Sequence, residues 1–185
     1  MLIVGSFCIM GDWDETPAPP DKHVIKLEPS AAWGIGTHIT SRALLTQLPS
    51  IISPGMTFLD VGCGSGIPMI AAALLDAEAS GFEMDTKAAK VAARNAAYSG
   101  VSVQVMTEQW HAGLEGQGSY DIALVNTGDD ALLAAVLGHP TLAGKVLTFS
   151  DARSSDYPGW NVRQEEGLFR IYTREPENAP HDRSV

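Results

Sequence analysis

Three glycines, Gly62, Gly64 and Gly66, occupy alternate positions between a stretch with a strand pattern and one with a helix pattern. A tight turn needs one or two glycines, so a third requires another explanation. Without side chains, these residues let a ligand lie directly against the main chain. The spacing predicts a turn that holds a ligand, with close packing of the turn as the alternative.

Two carboxylates accompany the glycines. Asp60 lies at the end of the predicted strand, where a buried carboxylate needs a hydrogen-bond donor. Glu83 lies twenty-three positions further on, at the end of the next predicted strand. A carboxylate at that place can accept hydrogen bonds from both hydroxyls of a ribose. The two acids and the glycines together indicate a cofactor that contains a nucleoside.

The spacing of the glycines narrows the choice of cofactor. A dinucleotide site has the pattern GxGxxG, whereas this turn has GxGxG and the bulky Ile67 at the sixth position. This departure disfavours an NAD-dependent reductase. A P-loop is also disfavoured, because no GK[ST] follows the glycines.

The elements that position these residues alternate between strand and helix patterns from Thr57 onward. Such alternation predicts an α/β fold, with a mostly parallel sheet covered by helices on both faces. Ahead of it, a helix with Thr40 or Ser41 as its N-cap is expected to end at Pro49. The segment "NVRQEEGLFRIYTRE" predicts a C-terminal antiparallel hairpin.

Composition limits the class of protein. The chain has 185 residues and a net charge of −10, which argues against a nucleic-acid partner held through its phosphates. The sequence contains no apolar run of about 18 residues that would predict a membrane span, and no signal peptide is recognisable. The two cysteines, Cys8 and Cys63, have no metal-site spacing, so no metal is expected and a cytoplasmic location fits best.

Breaks in the pattern divide the chain into three parts. The Pro-rich "TPAPPD" closes an opening segment, and the last ten residues have the composition of a frayed end. We therefore expect an N-terminal extension at 1–23, one folded domain at 24–175 and a flexible tail at 176–185.

Several stretches resemble a known family. "LDVGCGSG" with a downstream acid resembles motif I of the class I S-adenosylmethionine-dependent methyltransferases. The loop "AAWGIGTHITS" and the segment "YDIALVN" are similar to those of ribosomal protein L11 methyltransferases and their relatives. The resemblance covers roughly residues 24 to 150. It implies a Rossmann-like class I methyltransferase fold, and the catalytic domain only, since fewer than thirty residues precede the match.

The resemblance implies S-adenosylmethionine as cofactor, with S-adenosylhomocysteine as its product, and assigns most cofactor contacts. The turn around its methionine portion would be formed by Asp60, Gly62, Gly64 and Gly66. Glu83 would bind the ribose, and Met84 would pack on the adenine. Gly36 would cover the methionine end with Thr37, and Glu108, or alternatively Gln109, would be the polar contact to the adenine.

The same resemblance assigns the catalytic residues. Asn126, at the end of the fourth strand, would lie nearest the transferred methyl group and its acceptor. Thr37 and His38 belong to the loop that closes the methionine end. His38 is interpreted either as a general base or as a hydrogen-bond partner that orders the loop.

The acceptor end of the site departs from the family pattern. Where relatives have an "NI…PL" type sequence, this chain has "NTGDDALL". Asp129 and Asp130 could attract a cationic amine, or could simply cap the following helix. The main hypothesis is methylation of an amine on a protein substrate. The alternative is a partner subunit that has the fold, with or without the cofactor, but is not catalytic.

Overall fold

The computed structural model describes residues 1–30, 36–107, 119–149, 157–164 and 169–174. Four helices lie in these ranges: α1 (Ile39–Ile51), α2 (Ile67–Leu74), α3 (Thr86–Tyr98) and α4 (Asp130–Gly138). The strands are β1 (Leu2–Val4), β2 (Phe7–Gly11), β3 (His23–Leu27), β4 (Thr57–Val61), β5 (Glu78–Phe82), β6 (Gln104–Met106), β7 (Tyr120–Val125), β8 (Ala143–Phe149), β9 (Trp160–Gln164) and β10 (Phe169–Arg174).

The main sheet has seven strands in the order β6-β5-β4-β7-β8-β10-β9. Strands β4 to β8 pair in parallel, and β10 pairs antiparallel with both β8 and β9. The predicted Rossmann-like sheet and C-terminal hairpin are therefore confirmed. The strand order reverses between β4 and β7, and ligands bind at such a switch point in sheets of this kind.

Two hydrophobic cores cover the two faces of this sheet. Residues of α1, α2 and α3 pack in the first core with Phe58 of β4. Residues of α4 pack in the second core with Leu59 and Val61 of the same strand. Alternate residues of a strand point to opposite faces, so β4 is buried on both sides, as its apolar run predicts.

The second sheet was not predicted from the sequence. Strands β1 and β2 form a hairpin around Gly5 and Ser6, and β2 pairs in parallel with β3. Gly5 has a φ of +54°, and a glycine at the first position of a two-residue loop is a known hairpin signal. The pairing joins the predicted extension at 1–23 to the predicted domain at 24–175. That division stays a prediction, and the tail at 176–185 lies outside the described residues.

Two details of α1 differ from the prediction. His38, and neither Thr40 nor Ser41, is the N-cap, because its extended backbone precedes the helix and its side chain accepts from the Thr40 N–H. Pro49 lies inside the helix instead of ending it. A proline in the last turn removes one hydrogen bond, and the buried Leu44, Leu45 and Leu48 hold the helix against the core.

Candidate functional site

The turn from β4 to α2 contacts two neighbours, the end of β5 and the turn from β7 to α4. The N–H groups of Gly62 and Cys63 donate to the carbonyl of Phe82, at 2.7 and 3.1 Å. Gly62 has a φ of +75°, and a Cβ at this position would collide with the methyl group of Thr127. The positive φ therefore favours glycine at this crossing of the two turns, and any side chain here would also have to displace the Thr127 methyl group.

Gly66 also has a packing role. It is the N-cap of α2 with a φ of +85°, and an added Cβ would lie 3.1 Å from the Cβ of Ala92 on α3. Its left-handed backbone lets the turn enter α2, whose first turn contains Pro68. The packing interpretation therefore accounts for Gly62 and Gly66, whereas Gly64 contacts a carboxylate.

That carboxylate is Glu83, which follows β5. Its Oε2 accepts a hydrogen bond from the Gly64 N–H, and its Oε1 accepts one from the Asp85 N–H, both at 3.0 Å. Each carboxylate oxygen has a second lone pair. The side chain is thus fixed in place and still able to accept two further hydrogen bonds from a ligand.

Asp60 is nearly inaccessible, at 2% exposure, and its Oδ2 accepts from the Met69 N–H at 3.2 Å. Burial raises the pKa of its carboxyl to about 7; the Met69 N–H opposes this rise, and the charge of Glu83 adds to it. Near neutral pH the group can therefore hold or release a proton. A cation in the cavity would favour the ionised form.

A cavity of about 720 Å³ opens at the carboxyl ends of β4, β5 and β7, at the switch point of the sheet. Six of the predicted site residues line it: Asp60, Gly62, Gly64, Glu83, Met84 and Asn126. Met84 is 66% exposed, so a large apolar side chain is available to a flat ring. The volume lies within the range of about 300–1,000 Å³ found for small-molecule sites.

The other predicted residues lie elsewhere. Gly66 is buried as the N-cap of α2, and Gly36 is buried close to Ile9 and Ile67. Thr37 lines a second cavity of about 320 Å³. The Nδ1 of His38 lies 2.8 Å from the Thr40 hydroxyl, which supports the interpretation of His38 as a group that orders the loop. Glu108 and its alternative Gln109 lie outside the described residues.

Some lining residues were not predicted from the sequence to belong to the site. Leu132 and Ala135 line the wall formed by α4, and Ser41 and Ser65 line other parts. Cys63 also lines the cavity, and burial together with the charge of Asp60 raises the pKa of its thiol well above its usual range. The sequence contained a signal for the α4 wall, because the first turn of a helix that follows a central strand faces the switch point.

Asp129 caps α4, as one of its two interpretations proposed. Its Oδ1 accepts from the N–H groups of Ala131 and Leu132 at 2.9 and 3.1 Å, and its own N–H donates to the Thr127 hydroxyl at 3.2 Å. Asp129 also lines the cavity. Attraction of a cationic amine by this residue stays a prediction.

The described part of the chain holds no cluster of three His, Cys, Asp or Glu residues suited to a metal ion. None of the helices described is long and apolar enough to cross a membrane.

Solved structures share this fold. A ribosomal protein L11 methylase from Lactobacillus delbrueckii subsp. bulgaricus superposes with a TM-score of 0.74 over 92% of this chain and 96% of that chain, at 21% identity. TrmK of M. capricolum, solved in complex with S-adenosylhomocysteine, superposes with a TM-score of 0.53 over 71% of this chain and 67% of that chain, at 10% identity. At these identities the similarity concerns the fold alone.

Sequence relatives are more similar. A ribosomal protein L11 methyltransferase from Desulfitobacterium hafniense is 34% identical over 130 residues, which are 70% of this chain and 42% of that protein. One from Carboxydothermus hydrogenoformans is 45% identical over 94 residues, which are 50% of this chain and 31% of that protein. The chain thus matches less than half the length of these relatives.

The family model described as ribosomal protein L11 methyltransferase (PrmA) matches residues 1–139. The match includes β1 and β2, which precede the range of the sequence resemblance. The match extends over most of the chain, and the fold agrees with that of the solved L11 methylase. This chain therefore belongs to the ribosomal protein L11 methyltransferase family.

Proposed function

We propose that this protein binds S-adenosylmethionine and transfers its methyl group to an amine nitrogen of a protein substrate. The observation that carries the proposal is the cavity at the switch point, in which Asp60, Glu83, Met84 and Asn126 meet around the glycine turn. The family to which the chain belongs supports the activity, but the chain matches less than half the length of its relatives.

The chemistry of the lining residues fits the cofactor. Glu83 has acceptor capacity left for the two ribose hydroxyls, and the exposed Met84 offers an apolar surface to the adenine. We assign Asp60, which lines the cavity, to the cationic end of the methionine portion, and Gly62, Gly64 and Gly66 to the adjacent turn. We also retain Gly36 and Thr37 at the methionine end, and Glu108 at the adenine, as predictions.

When bound, the cofactor supplies a methyl group attached to a positively charged sulfur. The sulfur is the leaving group that an incoming nucleophile displaces in line. No oxyanion needs to be stabilised, so the protein mainly aligns the acceptor and excludes water. We assign alignment of the acceptor to Asn126, which is partly buried at the end of β7. The acceptor amine must be neutral, since an ammonium has no lone pair, and transfer into a poorly solvated cavity lowers the pKa of an amine.

The relatives are named for ribosomal protein L11, and we propose this protein as the first acceptor to test. Its lysine side chains and N-terminal amine are the candidate nitrogens. A ribosomal acceptor would place the activity in the cytoplasm. The net charge of −10 is compatible with a basic protein partner and unfavourable for a nucleic acid.

Calorimetric titration tests cofactor binding first. We expect micromolar binding of S-adenosylmethionine and S-adenosylhomocysteine and no binding of NADH. If neither sulfur nucleoside bound, the proposed function would be wrong.

Methyl transfer is then measured by mass spectrometry, with ribosomal protein L11 and the labelled cofactor. We expect added methyl groups on L11 amines. If the cofactor bound but no methyl group were added to L11 or to other basic ribosomal proteins, the non-catalytic alternative would replace the proposal.

A further inference from the structure

One buried amide connects two segments of the proposed cofactor site that are distant in sequence. Asn95 of α3 is completely buried. Its Nδ2 donates to the carbonyl of Ser65 at 2.9 Å, and its Oδ1 accepts from the N–H of Glu28 at 2.8 Å. A carbonyl can only accept and an N–H can only donate, so the two partners determine the orientation of the amide.

One of these segments is the glycine turn. Ser65 lies between Gly64, whose N–H donates to Glu83, and Gly66, which caps α2. Ser65 lines both cavities. A displacement of its carbonyl would therefore displace the part of the turn assigned to the methionine portion.

The other segment lines the second cavity together with Thr37. Glu28 follows β3, and its carboxylate accepts two hydrogen bonds from Arg94, both at 2.6 Å. Ser99 accepts from the N–H of Lys26 at 2.9 Å. Side chains of α3 and of its C-cap, Ser99, thus hold this stretch at several points, and the hydrogen bonds of Asn95 also reach the glycine turn.

We propose that Asn95 is a positioning residue that sets the spacing between the glycine turn and the stretch at Glu28, which lines the second cavity together with Thr37. It thereby controls the affinity of the site for the amino-acid end of the cofactor. The nucleoside end depends on Glu83 and Met84. Asn95 contacts neither of them, and Glu83 has a second hydrogen bond, from the Asp85 N–H, that does not involve the turn. This inference rests on the proposed function.

Two ligands distinguish an effect at the amino-acid end of the site from an effect at the nucleoside end. S-adenosylhomocysteine contains the amino-acid end, whereas 5′-methylthioadenosine has the same nucleoside without it. Asn95→Leu removes both hydrogen bonds at similar side-chain volume. We expect the Kd of S-adenosylhomocysteine to rise about tenfold, because the loosened turn must then be ordered when the ligand binds. The Kd of 5′-methylthioadenosine should stay within about twofold.

Two further variants serve as controls. Arg94→Lys removes the bidentate pair with Glu28 and leaves the Asn95 bonds, so both affinities should stay within about twofold. Asn95→Asp retains the acceptor, and regains a donor only when it is protonated. Its affinity for S-adenosylhomocysteine, relative to wild type at the same pH, should therefore recover as the pH falls.

Three outcomes would overturn the inference. Equal loss of affinity for both ligands would make Asn95 a merely structural residue, and unchanged affinity for S-adenosylhomocysteine would remove its role altogether. If the wild-type protein bound no S-adenosylhomocysteine, the proposed function would be wrong, and this inference with it. The first two outcomes leave the proposed function intact.

A measurement on the unmodified protein covers the case in which the variants do not fold. Amide hydrogen exchange at Glu28 reports on its bond to Asn95. We expect S-adenosylhomocysteine to slow exchange at Glu28 and at Gly64 together, and 5′-methylthioadenosine to slow it at Gly64 alone. Protection of Gly64 by S-adenosylhomocysteine without any change at Glu28 would contradict the inference.

Discussion

The two halves of the candidate site are held in different ways. On the side of β4 and β5, Glu83 accepts from Gly64, nineteen residues away, and Asn95 joins Ser65 to Glu28. On the side of β7 and α4, the hydrogen bonds of Asp129 span two or three residues, and Thr127 and Asp129 are exposed.

This difference indicates where the chain can change without loss of the fold. A substitution at Glu83 or Asn95 breaks contacts between distant segments, whereas one at Asp129 breaks a local cap. The first half carries the motif that resembles the family, and the second carries the departing "NTGDD" segment. We infer that the first half sets cofactor binding and that the second half is free to adapt to the acceptor.

The largest expected effect concerns Asp60. Its pKa of about 7 in the folded chain lies above the ordinary value of 3.8, so the folded chain holds an additional proton between these values. The stability that the protonated Asp60 carboxyl contributes is therefore fully present below about pH 4, and it is lost as the pH rises to about 7. The loss is on the order of 4 kcal/mol in the free energy of unfolding. Asp60→Asn should remove this dependence.

Urea unfolding of wild type and Asp60→Asn across this pH range measures the effect. A pH-independent difference between wild type and Asp60→Asn would show that burial does not perturb this carboxyl.

The second effect concerns transfer of the methyl group. Asn126→Ala should lower kcat about 100-fold, the scale of a misplaced acceptor, while the Kd of the cofactor is retained. Steady-state methylation of L11 and calorimetry measure the two quantities. Asn161→Ala, an exposed position on β9, is the matched control. If Asn126→Ala left kcat unchanged, alignment would have to be assigned to another residue.

The third effect concerns the ribose. Glu83→Ala should weaken S-adenosylhomocysteine binding by about 1.5–3 kcal/mol, because hydrogen bonds to a charged acceptor are lost. Glu78→Ala removes an exposed carboxylate at the other end of β5 and should leave the affinity unchanged. Equal affinities of wild type and Glu83→Ala in calorimetry would exclude Glu83 from the cofactor site.

The smallest effects separate the two interpretations of Asp129. Asp129→Ala should cost about 1 kcal/mol of unfolding free energy through loss of the N-cap, whereas Asp129→Asn keeps an equivalent cap. If the charge also attracts the acceptor, Asp129→Asn should raise KM for L11 a few-fold without changing cofactor affinity. An unchanged KM would leave Asp129 with the capping role alone.

Sequence patterns predicted the elements of the main sheet because their signals are local. The apolar run of β4 and Gly66 before α2 each mark an element within a few residues. The N-cap of α1 was assigned incorrectly because His38, Thr40 and Ser41 all carry polar side chains. The backbone at His38 decided among them. The β1–β2 hairpin was missed, although Gly5 and Ser6 carry its turn signal.

What the sequence determined by itself is the alternation of strands and helices, the glycine turn and the two acids that follow strands. These depend on side-chain periodicity and turn chemistry, which act over a few residues. The tertiary structure decided which atoms meet: Glu83 with Gly64, Asn95 with Ser65 and Glu28, and Thr127 with Gly62. These contacts arise only when strands distant in sequence pair and helices pack on them, so no local pattern specifies them.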